Sequence, residues 1–145
     1  MPAISGLRSP YDKVGPLVFV GRMFDKIRLH QRSELPADYT AALGKGLDGR
    51  ACRFLGVEYE ALKTQVRNGA NDEALLAWCF DQGISRNEHD CEMWNAFLPK
   101  VGWRDDRSEF LAEFRAAQGF ADSGAETFFD LIEFDEGRPL RSSHV

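Results

Sequence analysis

Apolar side chains in this sequence recur every third or fourth position in short stretches, and glycine, proline or an Asn-Gly pair closes each stretch within about a dozen residues. "EYEALKTQVRNG" sets Tyr59, Leu62 and Val66 at helical spacing and stops at Asn68-Gly69. "NDEALLAWCFDQG" opens on an Asn or Asp cap with Glu73 in its first turn and stops at Gly83. Two helices joined so tightly form a helical hairpin. "SRNEHDCEMWNAFLPKVG" reads as a helix capped by Ser85, with Glu88 at the capping-box position, ended by Pro99 and Gly102. "DRSEFLAEFRAAQG" puts Phe110, Leu111 and Phe114 on one side, and "GAETFFDLIEFDEG" groups Phe128, Leu131 and Ile132. No alternating pattern of useful length and no fixed-period repeat is present. A chain of 145 residues suits one domain. The expected fold is therefore all-α, a single domain of about six or seven short helices packed irregularly.

The N-terminal region differs. Residues 1–16 contain Pro2, Gly6, Ser9, Pro10, Gly15 and Pro16 and are expected to form an extended arm. "LVFV" has strand character but no evident partner, so it is expected to lead into a first helix over 20–32, ended before Pro36. That helix carries Met23, Phe24 and Ile27 as an apolar stripe. Arg22, Asp25, Lys26 and Arg32 lie on the other side, with Leu29 among them. The pattern favours a solvated ridge of ion pairs. "GKGLDGRACRFLGV" starts as a glycine-rich loop and turns helical from Asp48 or Gly49 to Leu55, with Gly56 as end signal. The tail, 138–145, is expected to fray.

Net charge narrows the partners. The chain carries −5 overall, but residues 1–53 hold nine Lys/Arg against five Asp/Glu, and the remainder is at −9. An acidic chain of this kind is a poor general binder of nucleic acid, although its basic first third can take a small anion or fold against the acidic part. No apolar run approaches a membrane span, and the start lacks the order of a signal peptide, so a cytoplasmic location is expected. Cys52, Cys79 and Cys91 are odd in number and far apart, without a CxxC. They are expected to be buried free thiols of a reducing compartment, not zinc ligands.

Few motifs carry chemistry. "GKGLDG", residues 44–49, matches G-x-G-x-x-G, but no strand precedes it and no Lys-Ser/Thr pair follows, so neither a dinucleotide fold nor a P-loop is implied. A glycine turn feeding a helix start still offers backbone N–H groups to an anion, with Lys45, Arg50 and Arg53 adding positive charge. Asp130 and Glu133 lack a matching Glu-x-x-His elsewhere, so residues 130–136 are expected to be solvated acidic helix surface and no metal is assigned. No local signature of a nucleophile, triad or cofactor site is present.

The segments "LRSPYDKVG" (7–15), "GRMFDKIRLH" (21–30), "LGKGLDGRACRFLGV" (43–57) and the later "WNAF…GWRDD" together resemble a family of small bacterial proteins of unknown function. The resemblance spans most of the chain and is strongest over 7–57. It implies a small helical domain, and it implies no reaction, ligand or catalytic residue.

Two functional expectations follow. The first is a small-anion site, for phosphate or carboxylate, joining Arg8 and Lys13 of the arm, Arg22, Asp25 and Lys26 of the first helix, and Lys45, Arg50 and Arg53 of the glycine loop. In it the arm folds over the first helix and brings Arg8, Asp12 and Lys13 near Asp25. The second is an adaptor module in which those charges pair internally and an apolar surface around Trp94, Phe97 and Trp103 meets a partner protein. Trp78, Trp94 and Trp103 stand in helical or near-helical settings and are expected to be core anchors in preference to a ligand cage.

Overall fold

The computed structural model describes residues 2–141. Among them the chain forms a two-stranded ribbon, β1 (Lys13–Val14) and β2 (Leu17–Val18), and seven α-helices. These are α1 (Val20–Gln31), α2 (Leu47–Leu55), α3 (Tyr59–Arg67), α4 (Asp72–Gln82), α5 (Glu88–Phe97), α6 (Ser108–Ala117) and α7 (Phe128–Asp135). Short 3-10 helices occupy Ala37–Ala42 and Leu98–Lys100. The expected all-α domain is thus the observed one. None of these helices is long and apolar enough to cross a membrane.

Local signals account for most boundaries. Asn71 caps α4 by accepting the Ala74 N–H, and Gly56 ends α2 in the left-handed conformation. The start of α5 corrects an expectation. The cap is Asn87, not Ser85, and the reciprocal partner is Asp90, not Glu88, because helical geometry begins two residues later than the serine suggests. The "LVFV" stretch also finds the partner that the sequence did not disclose. Gly15 and Pro16 turn the arm back so that Val14 faces Leu17 and Lys13 faces Val18. Asn95 and Trp94 of α5 hold this ribbon through the Val18 N–H (3.0 Å), the Pro16 carbonyl (2.7 Å) and the Val18 carbonyl (3.0 Å).

The core gathers around α1. Met23, Phe24, Ile27 and Val20 pack with Leu55 and Cys52 of α2, Leu62 and Val66 of α3, Leu75 and Cys79 of α4, Trp94 of α5 and Phe129 of α7. Trp94 is a core anchor, stacked on Phe54 with ring centroids 4.5 Å apart, and Trp103 is half-buried, so of the expected apolar surface only Phe97 stays exposed. The charged side of α1 is a second correction. Arg22 and Asp25 are 3% and 6% exposed, as deeply buried as the apolar stripe. The first turns of α1 are enclosed by the rest of the domain, so these charges are buried by pairing, while Arg32 just past its end stays exposed and pairs with Glu34 at the surface, as the ridge expectation had it.

The three thiols are free and buried, as expected. Burial pushes Cys52 up to about 11 and Cys79 to about 12, and raises Cys91 as well. A thiol reagent at neutral pH should react slowly with the native protein and fast once it is unfolded. Rapid modification of the folded chain would contradict this burial.

Candidate functional site

Arg22 and Lys26 stand one turn apart on α1, so both project from the same face. Arg22 forms a two-pronged pair with Glu136, Nη1 to Oε1 at 3.0 Å and Nη2 to Oε2 at 2.7 Å, and Nη1 also donates to the Arg8 carbonyl at 3.0 Å. Tyr39 donates its hydroxyl to Glu136 Oε2 at 2.9 Å, and Arg138 reaches Oε1 at 2.9 Å. Burial alone would raise the Glu136 carboxyl. The hydrogen bonds and positive charge of Arg22, helped by Tyr39 and Arg138, outweigh it and hold the group below the usual range.

Lys26 Nζ lies 2.8 Å from Asp48 Oδ1. The two form a close ion pair in which Oδ1 has the Lys26 ammonium beside it. Asp48 Oδ2 accepts the Gly44 N–H at 3.1 Å, which ties the glycine-rich turn to α2. Nζ also sits 5.5 Å from the centroid of Phe19. Desolvation lowers the Lys26 pKa and Arg22 adds to the fall, while Asp48 and Glu136 oppose it. Phe19, just before α1, has φ 76°, a left-handed backbone that costs a bulky residue about 1–3 kcal/mol and persists only where the surroundings impose it. The Phe19 ring is buried and stacked on Phe129, with centroids 6.0 Å apart.

Arg22, Lys26 and Phe19 form the inner wall of a cavity of about 990 Å³. Its other walls come from the 3-10 helix around Tyr39, the glycine turn, the start of α2, and the aromatic faces of α6 and α7, namely Phe110, Phe114 and Phe128. The volume is at the upper end of ligand pockets. Lys45, Arg50 and Arg107 also line it. None of these three has an ion pair within 4 Å among the described residues. Arg50 lies over Phe97 (5.7 Å) and Arg107 over Phe110 (4.5 Å).

A second cluster sits away from the cavity. Arg8 binds Asp25 through Nε (2.8 Å), Nη2 (3.1 Å) and its backbone N–H (3.0 Å), and reaches Asp72 of α4 at 2.8 Å. Arg28 joins the same carboxylates, at 3.4 Å from Asp25 and 2.9 Å from Asp72. Burial would raise Asp72, but Arg8 and Arg28 bring it below its ordinary range. Two arginines and two aspartates balance one another, and the pairing fastens the arm to α1 and α4.

The eight expected site residues therefore divide. Arg22, Lys26, Lys45 and Arg50 meet at the cavity. Arg8 and Asp25 are fully engaged in the clamp, as the internal-pairing expectation had it. Asp12 and Lys13 are exposed on the arm and do not approach Asp25, because the turn at Gly15 points them outward. Arg53 is exposed on α2 outside the cavity wall. The acidic surface expected at 130–136 is a further correction. Asp130, Glu133 and Glu136 are buried, held by Tyr11 and the Arg141 N–H, by Arg138 and Arg141, and by Arg22. Arg138 and Arg141 thus anchor a stretch expected to fray, and residues 142–145 lie outside the described residues. Sequence reasoning missed Tyr39, Arg107 and Glu136, and took Asp48 only as one of several acids, with Asp12 and Asp25, available for internal pairing. Only the Phe110–Phe114 spacing hinted at the aromatic wall. No curated protein matches the chain. The profile of a family described as "Domain of unknown function (DUF5069)" matches residues 4–138, which takes in every described helix and both charge clusters, and the chain belongs to that family.

Proposed function

We propose that this domain binds a small ligand with a phosphate or carboxylate head and an apolar body in the cavity between α1, α2, α6 and α7. The observation that carries the reading is the trio Lys45, Arg50 and Arg107, three cations around a phenylalanine-lined hollow that make no ion pair within 4 Å among the described residues. An anion would take the charge, and the apolar body would cover Phe110 and Phe114, which are 46% and 41% exposed. Binding is proposed and no reaction is included. The three buried free thiols support a reducing, cytoplasmic setting, and the acidic net charge argues against nucleic acid as a partner. Thermal melts at fixed ionic strength test the ligand class. Phenyl phosphate at a hundred times its dissociation constant should stabilise the protein by about 2.7 kcal/mol, and inorganic phosphate by less at equal concentration. The double variant Lys45→Ala/Arg50→Ala should melt within about 0.5 kcal/mol of wild type and lose the response. No response to either compound in the wild type would remove the reading. It would favour instead an adaptor whose contact surface is Met93 and Phe97, one turn apart on α5 and 60% and 51% exposed.

A further inference from the structure

We propose that Lys26 is a nucleophilic amine that captures the carbonyl group of an anionic aldehyde or ketone in this cavity as an imine. The inference rests on the cavity reading above and names its substrate class more narrowly. Lys26 is the one lysine packed into the interior wall of the hollow; Lys45 stands exposed at its rim. Its stem packs within the domain, leaving 11% of the side chain exposed, and Nζ faces Phe19 on one side and Asp48 on the other.

The groups around it fit the step. Arg22 on α1 and the desolvating walls disfavour the ammonium, while Asp48 on α2 and Glu136 after α7 favour it, and desolvation prevails. Glu136 is occupied by Arg22, Tyr39 and Arg138, so Asp48 is the carboxylate left to exchange a proton with Nζ. Its Oδ1 is buried and lies 2.8 Å from Nζ, within direct proton-transfer distance. The ammonium gives a proton to Asp48 Oδ1. The freed lone pair attacks the carbonyl carbon, and the carbonyl π electrons go to its oxygen. That oxygen takes up two protons, one returned by Asp48 and one from the former amine nitrogen, and leaves as water. The product is the iminium paired to the Asp48 carboxylate, and it gives the neutral imine when its N–H proton passes back to Asp48. No oxidant or reductant is consumed. Lys45 and Arg50 would hold the ligand's anionic end at the rim while its carbonyl reaches inward.

Reductive trapping tests this. The folded full-length protein is incubated with glyoxylate, an aldehyde bearing a carboxylate, and cyanoborohydride, and modification of Lys13, Lys26, Lys45, Lys63 and Lys100 is followed by peptide mapping. Lys26 should be modified at least tenfold faster than Lys13, Lys63 and Lys100 at pH 7. Its rate should level off at a lower pH than theirs, and inorganic phosphate should slow it alone. Lys26→Arg, which keeps a cation beside Asp48, should reduce labelling to the background of the exposed lysines while retaining phosphate-induced stabilisation. Modification of Lys26 no faster than that of the exposed lysines, or only after unfolding, overturns the proposal even where phosphate stabilises the protein. Fast Lys26 labelling without stabilisation by either phosphate compound upholds it and overturns the anion-binding reading alone.

Discussion

Arg22→Ala is expected to destabilise the protein by about 3–5 kcal/mol, because it leaves the carboxylate of Glu136 buried without its main counter-charge. Both side chains are almost wholly enclosed, at 3% and 1% exposure, so solvent screening offers little relief. For a domain of this length the loss corresponds to a melting temperature lower by roughly 10 °C. An exposed arginine on a helix surface would cost about 0.5 kcal/mol or less, so denaturant melts separate the two cases. The pH dependence carries a second signature. Glu136 has a carboxyl held low in the folded state, so its contribution is present above the ordinary glutamate range and is lost as pH falls through the folded value. In Arg22→Ala that depression shrinks to what Tyr39 and Arg138 sustain. The variant should therefore lose less stability than wild type between about pH 5 and pH 3. A variant as acid-sensitive as the parent would show that the pair is not the source.

Gly83→Ala should cost about 3 kcal/mol or more, an unusual penalty for one methyl group near the end of a helix. Gly83 follows α4 where the backbone runs against the last turn of α2, and the next residue, Ile84, donates its N–H to the Leu55 carbonyl at 2.8 Å. A Cβ at Gly83 would collide with the Leu55 carbonyl oxygen and approach the carbonyls of Gly56 and Cys79 at 2.8 and 2.9 Å. All three obstacles are backbone, so no rotamer change clears them. The hydrogen bond joining α2 to α4 has to lengthen instead. Gly69→Ala provides the comparison. It lies in another helix-ending turn with nothing near its Cβ position, so its cost is only that of the left-handed φ of 88°. Equal melting temperatures for the two variants would show that α2 and α4 are not in such close contact.

The helices were legible because each is written in neighbouring residues. Asn71 and Gly56 act within four positions of themselves, and Leu62 and Val66 announce a buried face by spacing alone. The site was half legible. Lys26 and Arg22 stand out as paired basic positions, but amphipathicity treats every charge as solvated, and nothing near Arg22 says that Glu136 will meet it. That partner lies 114 residues along the chain. Asp48 was read as one of several acids, since its role depends on α2 packing across α1 instead of on its own neighbours. The tail looked unstructured because "RPLR" has no helical pattern, yet Arg138 and Arg141 are held by charge, which leaves no periodicity to read.

The Arg22–Glu136 pair also bears on how the chain is made. A ribosome adding roughly 5–20 residues per second needs about 6–23 s to pass from position 22 to position 136. Through that interval α1 can assemble with α2, α3 and α4, but its guanidinium has no carboxylate to neutralise it in the interior. Arg22 must then either stay wet, keeping the centre of the domain open, or sit in an unfinished core at a steep energetic cost. Nascent chains halted before α7 should consequently be open and sensitive to protease, whatever fraction of the helices they already contain. Synthesis of the acidic stretch at 130–136 is then the event that lets the interior close.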